Sequence, residues 1–142
     1  MSMVVDASLT VTWYFEDEAT PATKAVLDEV AREGAVVPPL WRLEIASAFQ
    51  SAIKRRRIDA AYRDASLDDL SQLPVSIDEF VDSHLWTTTL RLSDRYGLTI
   101  YDACYLELAQ RLNLPLATLD QELRGAASAL GVPLLGIESA KG

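Results

Sequence analysis

Short apolar runs alternate with longer amphipathic stretches along the chain. The runs are MVV at 3–5, AVV at 35–37, VSI at 75–77, PLAT at 115–118 and LLGI at 134–137. Apolar runs of this length, bounded by turn or helix signals, are typical of buried strands. Because helical patterns separate them, the strands are expected to pair in parallel through helical crossovers. The pattern predicts an α/β fold with three layers, in which helices flank a central, mostly parallel sheet of about five strands.

A short helical stretch, SLTVTWYF, is expected after the first strand, and start and stop signals delimit the longer helix that follows it. Thr20 is a capping residue, Pro21 suits the first turn, and Gly34 ends the pattern. The apolar face of this helix is expected to contain Ala25, Val26, Val30 and Ala31. The next helix, from LWRLEIASAFQSAIKRRR, is expected to have Leu40, Leu43, Ala48, Ala52 and Ile53 on or near one apolar face.

Four further helices follow along the chain. One is expected from DAAYRDASLDDLSQL at 59–73, and another runs from Glu79 to Tyr96 with Leu85, Trp86, Leu90 and Leu92 as its apolar residues. The stretch TIYDACYLELAQRLN predicts a helix with Tyr105, Leu106 and Ala109 turned inward. A last helix is expected from DQELRGAASALG, just before the final strand.

Length and composition indicate a single domain, 1–142, because the 142 residues are 49% hydrophobic and contain no repeat or linker. The one cysteine, Cys104, excludes an internal disulfide and a cysteine-rich zinc site, which fits a reducing compartment. No basic and apolar leader precedes the first strand, and no apolar run is long enough to span a bilayer. We therefore expect a soluble, cytoplasmic protein with no membrane partner.

The chain is acidic, with a formal net charge of −8. This argues against non-specific coating of nucleic acid, which depends on Lys and Arg releasing counterions. The total charge is compatible with a local basic patch. It is also compatible with a concentration of acids that a metal or a basic partner protein neutralises. The densest basic cluster, KRRR at 54–57, complements a helix C-terminus or contacts RNA.

Four acids follow predicted strand ends or open the next helix. They are Asp6, Glu44, Asp102 and Asp120. Ligands of parallel sheets bind at the carboxyl ends of the strands, so these four side chains are expected at one edge. Two carboxylates about 4 Å apart repel by roughly 4 kcal/mol at an effective dielectric of 20, so such a cluster needs compensation. Mg²⁺ or Mn²⁺ suits it, because hard cations prefer oxygen ligands.

Each acid also has a purely structural interpretation. Asp6 and Asp120 are natural N-caps, and Asp102 stands three residues after Thr99, a spacing that resembles a capping box. Glu44 projects from an apolar helix face, where a carboxylate needs either a metal or a partner such as an arginine from elsewhere in the chain.

The other chemistry-bearing residues narrow the reaction class. The single histidine, His84, lies in a polar stretch and is interpreted as a solvated helix residue, and neither GxxxxGK[ST] nor GxGxxG occurs. Ser8 lacks a general base and is better placed to orient Asp6. Metal-assisted hydrolysis of phosphodiesters is the leading interpretation. An aspartate nucleophile ranks lower, because DASLT lacks the second acid of a D-x-D-x-T motif.

The segments VVDASLTVTWYFEDE, PPLWRLEIASAF and LTIYDACYLELAQRLNLPLATLDQELRGAA resemble PIN-domain ribonucleases. The similarity is greatest to the toxins of VapBC-type toxin–antitoxin pairs, and it extends over essentially the whole chain. No single motif is specific for this family. The combination is specific, because an Asp, a Glu, Y-D-A and T-x-D follow one another in this order.

The resemblance implies a fold, a reaction and a set of site residues. The implied acidic site consists of Asp6, Glu44, Asp102 and Asp120, with Ser8 and Thr118 as supporting hydroxyls. Asp6 and Asp102 are the implied main ligands of Mg²⁺ or Mn²⁺, which assists hydrolysis of an RNA phosphodiester. The implied partners are an RNA substrate, a cognate antitoxin that covers the cleft and a second copy of the chain. A non-catalytic PIN-like module that binds RNA or protein is the alternative. Whether Glu122 reaches the cleft stays open.

Overall fold

All strands of the described chain pair in parallel. The computed structural model describes residues 2–137. Its strands are β1 Val4–Val5, β2 Ala35–Val37, β3 Val75–Ile77, β4 Leu116–Ala117 and β5 Leu134–Leu135. One ladder has the order β1-β4-β5, and a second joins β2 to β3.

The predicted α/β class is confirmed, but the sheet is smaller than expected. Instead of one sheet of about five strands, residues 2–137 form a three-stranded and a two-stranded ladder. The Val36 amide donates to the Met3 carbonyl over 2.8 Å, so β2 starts beside β1. Because β1 has only two residues and β2 three, one shared hydrogen bond does not extend into a ladder.

The helices occupy the segments that the hydrophobic pattern predicted. They are α1 Ala7–Thr12, α2 Pro21–Glu33, α3 Leu40–Lys54, α4 Ala60–Ser71, α5 Val81–His84, α6 Leu90–Tyr96, α7 Ile100–Leu112 and α8 Gln121–Ala129. The predicted helix 79–96 is broken into α5 and α6 by a π-helical turn, Leu85–Thr89. None of the described helices is long and apolar enough to cross a membrane.

Helices cover both faces of the three-stranded ladder. Val4 and Val5 are consecutive residues of β1, so their side chains point to opposite faces, and both are fully buried. The same holds for Leu116 and Ala117 in β4. These paired burials confirm the three-layer arrangement, with the core on either side of β1 and β4.

The predicted start of α2 at Thr20 and its predicted end at Gly34 are confirmed. The Thr20 hydroxyl accepts from the Thr23 amide over 3.1 Å, and the Thr23 hydroxyl accepts from the Thr20 amide over 2.9 Å, forming a capping box. Gly34 ends the helix with φ of 81°, a backbone conformation that favours glycine. A Cβ at Gly34 would also lie 3.0 Å from the Pro74 carbonyl oxygen, so a side chain there would crowd the backbone that leads into β3.

Two predicted helix faces were partly wrong. In α2, Val26 and Val30 are buried, but Ala25 and Ala31 are exposed. In α3, Leu43 is 72% exposed, and the buried side chains are Trp41, Ile45, Phe49 and Ala52. Alanines and flanking leucines make more than one stripe of helical spacing apolar, and packing of α3 on α1 selects the stripe that contains the large side chains.

Candidate active site

Asp6 follows β1 directly and occupies the N-cap of α1. Its Oδ1 accepts from the Leu9 amide over 2.9 Å and from the Ser8 hydroxyl over 3.2 Å. The capping interpretation is therefore correct, but it accounts for one carboxylate oxygen only. The second oxygen, Oδ2, accepts from the hydroxyl of Thr118. Only 4% of Asp6 is exposed, so a buried carboxylate stands at the carboxyl end of β1.

Thr118 connects Asp6 to the next acid along this edge. The parallel register pairs Val5 with Ala117, which brings the following residues of the two strands, Asp6 and Thr118, to the same sheet edge. The Thr118 hydroxyl donates to Asp6 and accepts from the Asp120 amide over 3.1 Å. The guanidinium of Arg124 donates to the carbonyls of Thr118 and Leu135, over 2.7 and 3.0 Å, and so ties the ends of β4 and β5 together.

Asp120 and Asp102 both stand in the first turn of a helix, but they serve it differently. Asp120 is the N-cap of α8, and its Oδ1 accepts from the Leu123 amide over 2.9 Å. In α7 the cap is Thr99, whose hydroxyl accepts from the Asp102 amide over 3.1 Å. The predicted capping-box spacing thus joins Thr99 to Asp102. The Thr99 side chain also hydrogen-bonds the half-buried Asp102 carboxylate, which partly offsets the effect of burial on its pKa.

Glu44 has a hydrogen-bond partner that the sequence did not indicate. The expected alternatives were a metal or an arginine, whereas the structure provides the hydroxyl of Tyr105, which donates to Glu44 Oε1 over 2.7 Å. Tyr105 is buried in α7, and burial, followed by the bond to Glu44, raises its pKa, so the phenol remains the proton donor. Tyr105 was predicted to face inward, and its position three residues after Asp102 was the available signal, because residues at i and i+3 share a helix face.

Asp102 lies within electrostatic reach of the other three predicted acids. Burial raises the pKa of Asp6 to about 6, and the nearby Asp102 carboxylate adds to the shift. The pKa of Asp102 is also raised, first by burial and then by Asp120 and Glu44. Through Asp102, these interactions link the four acids at this end of the strands.

No cation of the described chain compensates these acids. Within residues 2–137, ion pairs form elsewhere, and none includes Asp6, Glu44, Asp102 or Asp120. Glu122, in the first turn of α8, is exposed and also contributes to the raised pKa of Asp102. The edge is thus a concentration of negative charge without a counterion among residues 2–137.

The donor chemistry of this edge fits a hard divalent cation, although the side chains do not form a closed metal site. Carboxylate and hydroxyl oxygens are the ligand type that Mg²⁺ and Mn²⁺ prefer. Among residues 2–137, however, no three His, Cys, Asp or Glu side chains are grouped closely enough to hold a metal ion. The assignment of Asp6, Glu44, Asp102 and Asp120 as metal ligands therefore stays a prediction.

A second acidic cluster escaped the sequence analysis. Glu107 is 2% exposed in α7, and Arg111, one turn later, pairs with it over 2.7 Å and with Asp78 over 2.8 Å. His84 was interpreted as a solvated residue, but it is half-buried and its Nδ1 lies 3.9 Å from Glu107. The i, i+4 spacing of Glu107 and Arg111 was the one signal in the sequence.

The basic cluster 54–57 does not behave as one unit. Arg57 pairs with Asp17 and Glu18 over 3.0 and 3.2 Å, and its guanidinium lies 4.7 Å from the centre of the Phe15 ring. The three residues before it, 54–56, are exposed and take no part in the ion pairs of residues 2–137. Arg57 therefore joins α3 to the loop after α1.

The parallel ladder and its acidic edge define an α/β protein with carboxylates gathered at the carboxyl ends of the strands. The family described as PIN domain matches residues 3–128. The chain belongs to the PIN-domain family, which confirms the resemblance recognised in its sequence.

Relatives in sequence and structure extend this match. Ribonuclease VapC3 of Mycobacterium tuberculosis is 32% identical over 126 residues, which cover 87% of this chain and 86% of that protein. The crystal structure of PAE2754 from Pyrobaculum aerophilum superposes with a TM-score of 0.66 at 26% identity, covering 89% of this chain and 84% of that chain. VapBC2 from Rickettsia felis, bound to a DNA fragment from its promoter, gives a TM-score of 0.63 at 14% identity, with 94% and 97% covered, and supports the fold alone.

Proposed function

We propose that this PIN domain is a metal-dependent endoribonuclease, the toxin of a toxin–antitoxin pair. The observation that carries the proposal is a set of carboxylates, with Asp102 in electrostatic contact with Asp6, Glu44 and Asp120, that no cation of residues 2–137 compensates. A buried acid such as Asp6, with its pKa raised to about 6, is costly to ionise and is expected where charge serves chemistry. The relative that is 32% identical is named a ribonuclease, which supports RNA as the substrate class.

In the proposed mechanism, Asp6 and Asp102 are the main ligands of Mg²⁺ or Mn²⁺, and Glu44 and Asp120 complete the site. When bound, such an ion polarises the phosphodiester and lowers the pKa of water. The residues of the chain hold the carboxylates for this purpose. Ser8 and Thr118 donate to the two oxygens of Asp6, which stabilises its ionised form and fixes the plane of the carboxylate.

RNA cleavage by the purified chain tests this function. Total bacterial RNA is incubated with Mg²⁺ or Mn²⁺, with EDTA, and with Asp102→Asn in place of the wild type. Asp28→Asn is the matched control, because Asp28 is an exposed carboxylate in the middle of α2 and is not one of the four acids. Discrete fragments that need both the metal and Asp102, but not Asp28, are expected. Cleavage that survives EDTA would contradict the metal dependence, and cleavage by Asp102→Asn would contradict the assigned site.

A non-catalytic RNA- or protein-binding module is the second candidate. It is favoured by the open arrangement of the acids, since within residues 2–137 no three of them are close enough to hold an ion. Titration calorimetry with Mn²⁺ separates the two functions. A nuclease binds the ion with wild-type carboxylates and loses it in Asp102→Asn, whereas a module of this kind gives no heat with either protein.

A second copy of the chain and an antitoxin are the proposed partners. Phe80, Trp86 and Leu90, which precede or lie within the segment from α5 to α6, are 62%, 86% and 42% exposed, and apolar side chains this exposed favour self-association. A homodimer is expected in light scattering, and Trp86→Ser is expected to weaken it. The antitoxin is proposed to cover the acidic edge, whose uncompensated charge favours a basic segment.

A further inference from the structure

We propose that Tyr105 is a positioning residue that holds Glu44 in the orientation needed to bind the divalent cation. This inference rests on the proposed metal-dependent function, which it deepens by one residue outside the acidic set. Tyr105 does not contact substrate or metal itself. It acts through the hydrogen bond of 2.7 Å from its hydroxyl to Glu44 Oε1.

The bond joins the two helices that carry Glu44 and Asp102. Glu44 lies in the first turns of α3, and Tyr105 follows Asp102 by three residues in α7. The bond therefore ties the Glu44 carboxylate to the helix that carries Asp102. The two bonded residues are separated by 61 positions in the sequence. A glutamate has three side-chain torsions, and without a tether its carboxylate samples several rotamers. Tyr105 is 1% exposed, and its packed ring fixes the position of the donor.

The bond also leaves one oxygen of Glu44 for a ligand. Within residues 2–137, the hydrogen bond from Tyr105 to Oε1 is the one that the Glu44 carboxylate accepts, so Oε2 remains for a cation. Carboxylates that bind metals are commonly held by such outer hydrogen bonds, and loss of one costs about 10- to 100-fold in affinity or activity. Glu44 therefore has the arrangement of an oriented ligand.

Removal of a single hydroxyl group tests the proposal. In Tyr105→Phe the ring stays and the donor is lost. Tyr96→Phe is the matched control, because the Tyr96 hydroxyl is buried and has no hydrogen-bond partner among residues 2–137. Titration calorimetry with Mn²⁺ alone is expected to show affinity about 10-fold or more weaker for Tyr105→Phe and unchanged for Tyr96→Phe. Raised Mn²⁺ is expected to restore cleavage by Tyr105→Phe, which a purely structural defect would not allow.

A double-mutant cycle identifies the residue through which Tyr105 acts. If Tyr105 works through Glu44, Tyr105→Phe has no further effect on Mn²⁺ affinity in a Glu44→Gln background. Equal Mn²⁺ affinity of wild type and Tyr105→Phe would overturn the proposal, and so would loss of the folded circular dichroism spectrum in Tyr105→Phe, since the hydroxyl would then serve the fold. If the wild type binds no Mn²⁺, the proposed metal-dependent function itself fails. This outcome differs from equal, measurable affinity of the two proteins and from unfolding of Tyr105→Phe.

Discussion

Helix α7 carries two acids that the protein treats in opposite ways. Asp102, in its first turn, is half-buried among other carboxylates, and burial together with Asp120 and Glu44 raises its pKa. Glu107, five residues later, is more deeply buried but pairs with Arg111, which also holds Asp78. Burial raises the pKa of Asp78, yet the hydrogen bonds from Arg111 and from the Phe80 amide outweigh it, and the net pKa is lowered.

The difference separates a structural use of charge from a functional one. A carboxylate retained for stability is neutralised by a partner in the chain, as Glu107 is. A carboxylate without such a partner costs stability, and an external cation can offset that cost. The acidic edge at β1 and β4 is of the second kind, and the cluster of Asp78, Glu107 and Arg111 is of the first.

The largest effect on stability is expected from breaking the paired cluster, which consists of Asp78, Glu107 and Arg111. Arg111→Met leaves the buried Glu107 and the partly buried Asp78 without their cation, and the free energy of unfolding should fall by about 3–5 kcal/mol. Urea unfolding measures the change. The control is Arg91→Met, which removes an exposed arginine of α6 and should have little effect. A loss below about 1 kcal/mol, the level of a surface pair, would mean that the cluster is not structural.

The same type of change at the acidic edge should remove activity and spare the fold. Asp102→Asn is expected to lower RNA cleavage by about 100-fold, the order seen when one electrostatic group of an active site is lost. Its melting temperature should be equal to or above that of the wild type, because one of several repelling charges is gone. A lower melting temperature or an altered circular dichroism spectrum would show that Asp102 supports the fold.

The pH dependence of stability should have opposite signs in the two regions. The folded-state pKa of Asp6 is about 6 against an ordinary value of 3.8, so its contribution is fully present below pH 3.8 and is lost as the pH rises through 6. Between pH 4 and pH 7 in EDTA, Asp6 alone should lower the free energy of unfolding by about 2 kcal/mol. Asp78, with its lowered pKa, contributes stability that is lost as the pH falls.

Urea unfolding of Asp6→Asn at several pH values isolates this effect. Asparagine still caps a helix, so the variant removes the titration and keeps the N-cap of α1. Its stability should vary less with pH than that of the wild type over this window. Identical pH profiles would show that Asp6 ionises in the folded protein as it does in the unfolded chain.

The smallest effect is expected at the rim of the paired cluster. His84 lies 3.9 Å from Glu107 and is half-exposed, so solvent screens their interaction. His84→Gln should change the free energy of unfolding by less than about 1 kcal/mol. An effect as large as that of Arg111→Met would place His84 among the residues that neutralise Glu107.

Much of the fold and the acidic edge follows from local sequence. The strand and helix segments are set by runs of apolar residues and by caps such as Thr20, whose bonds reach only three residues along the chain. Asp6, Asp102 and Asp120 were found in the same way, because each stands at a strand end or in the first turn of a helix. Parallel pairing then brings such positions to one edge without further information.

Contacts between distant segments depended on the tertiary structure. Thr118 lies 112 positions from Asp6 and Tyr105 lies 61 from Glu44, and no local pattern shows which hydroxyl reaches which carboxylate. The buried stripe of α3 and the division of the sheet into two ladders also depend on what each element packs against. Apolar periodicity and caps act within a few residues, whereas partner choice for a side chain is decided when helices and strands from the whole chain come together.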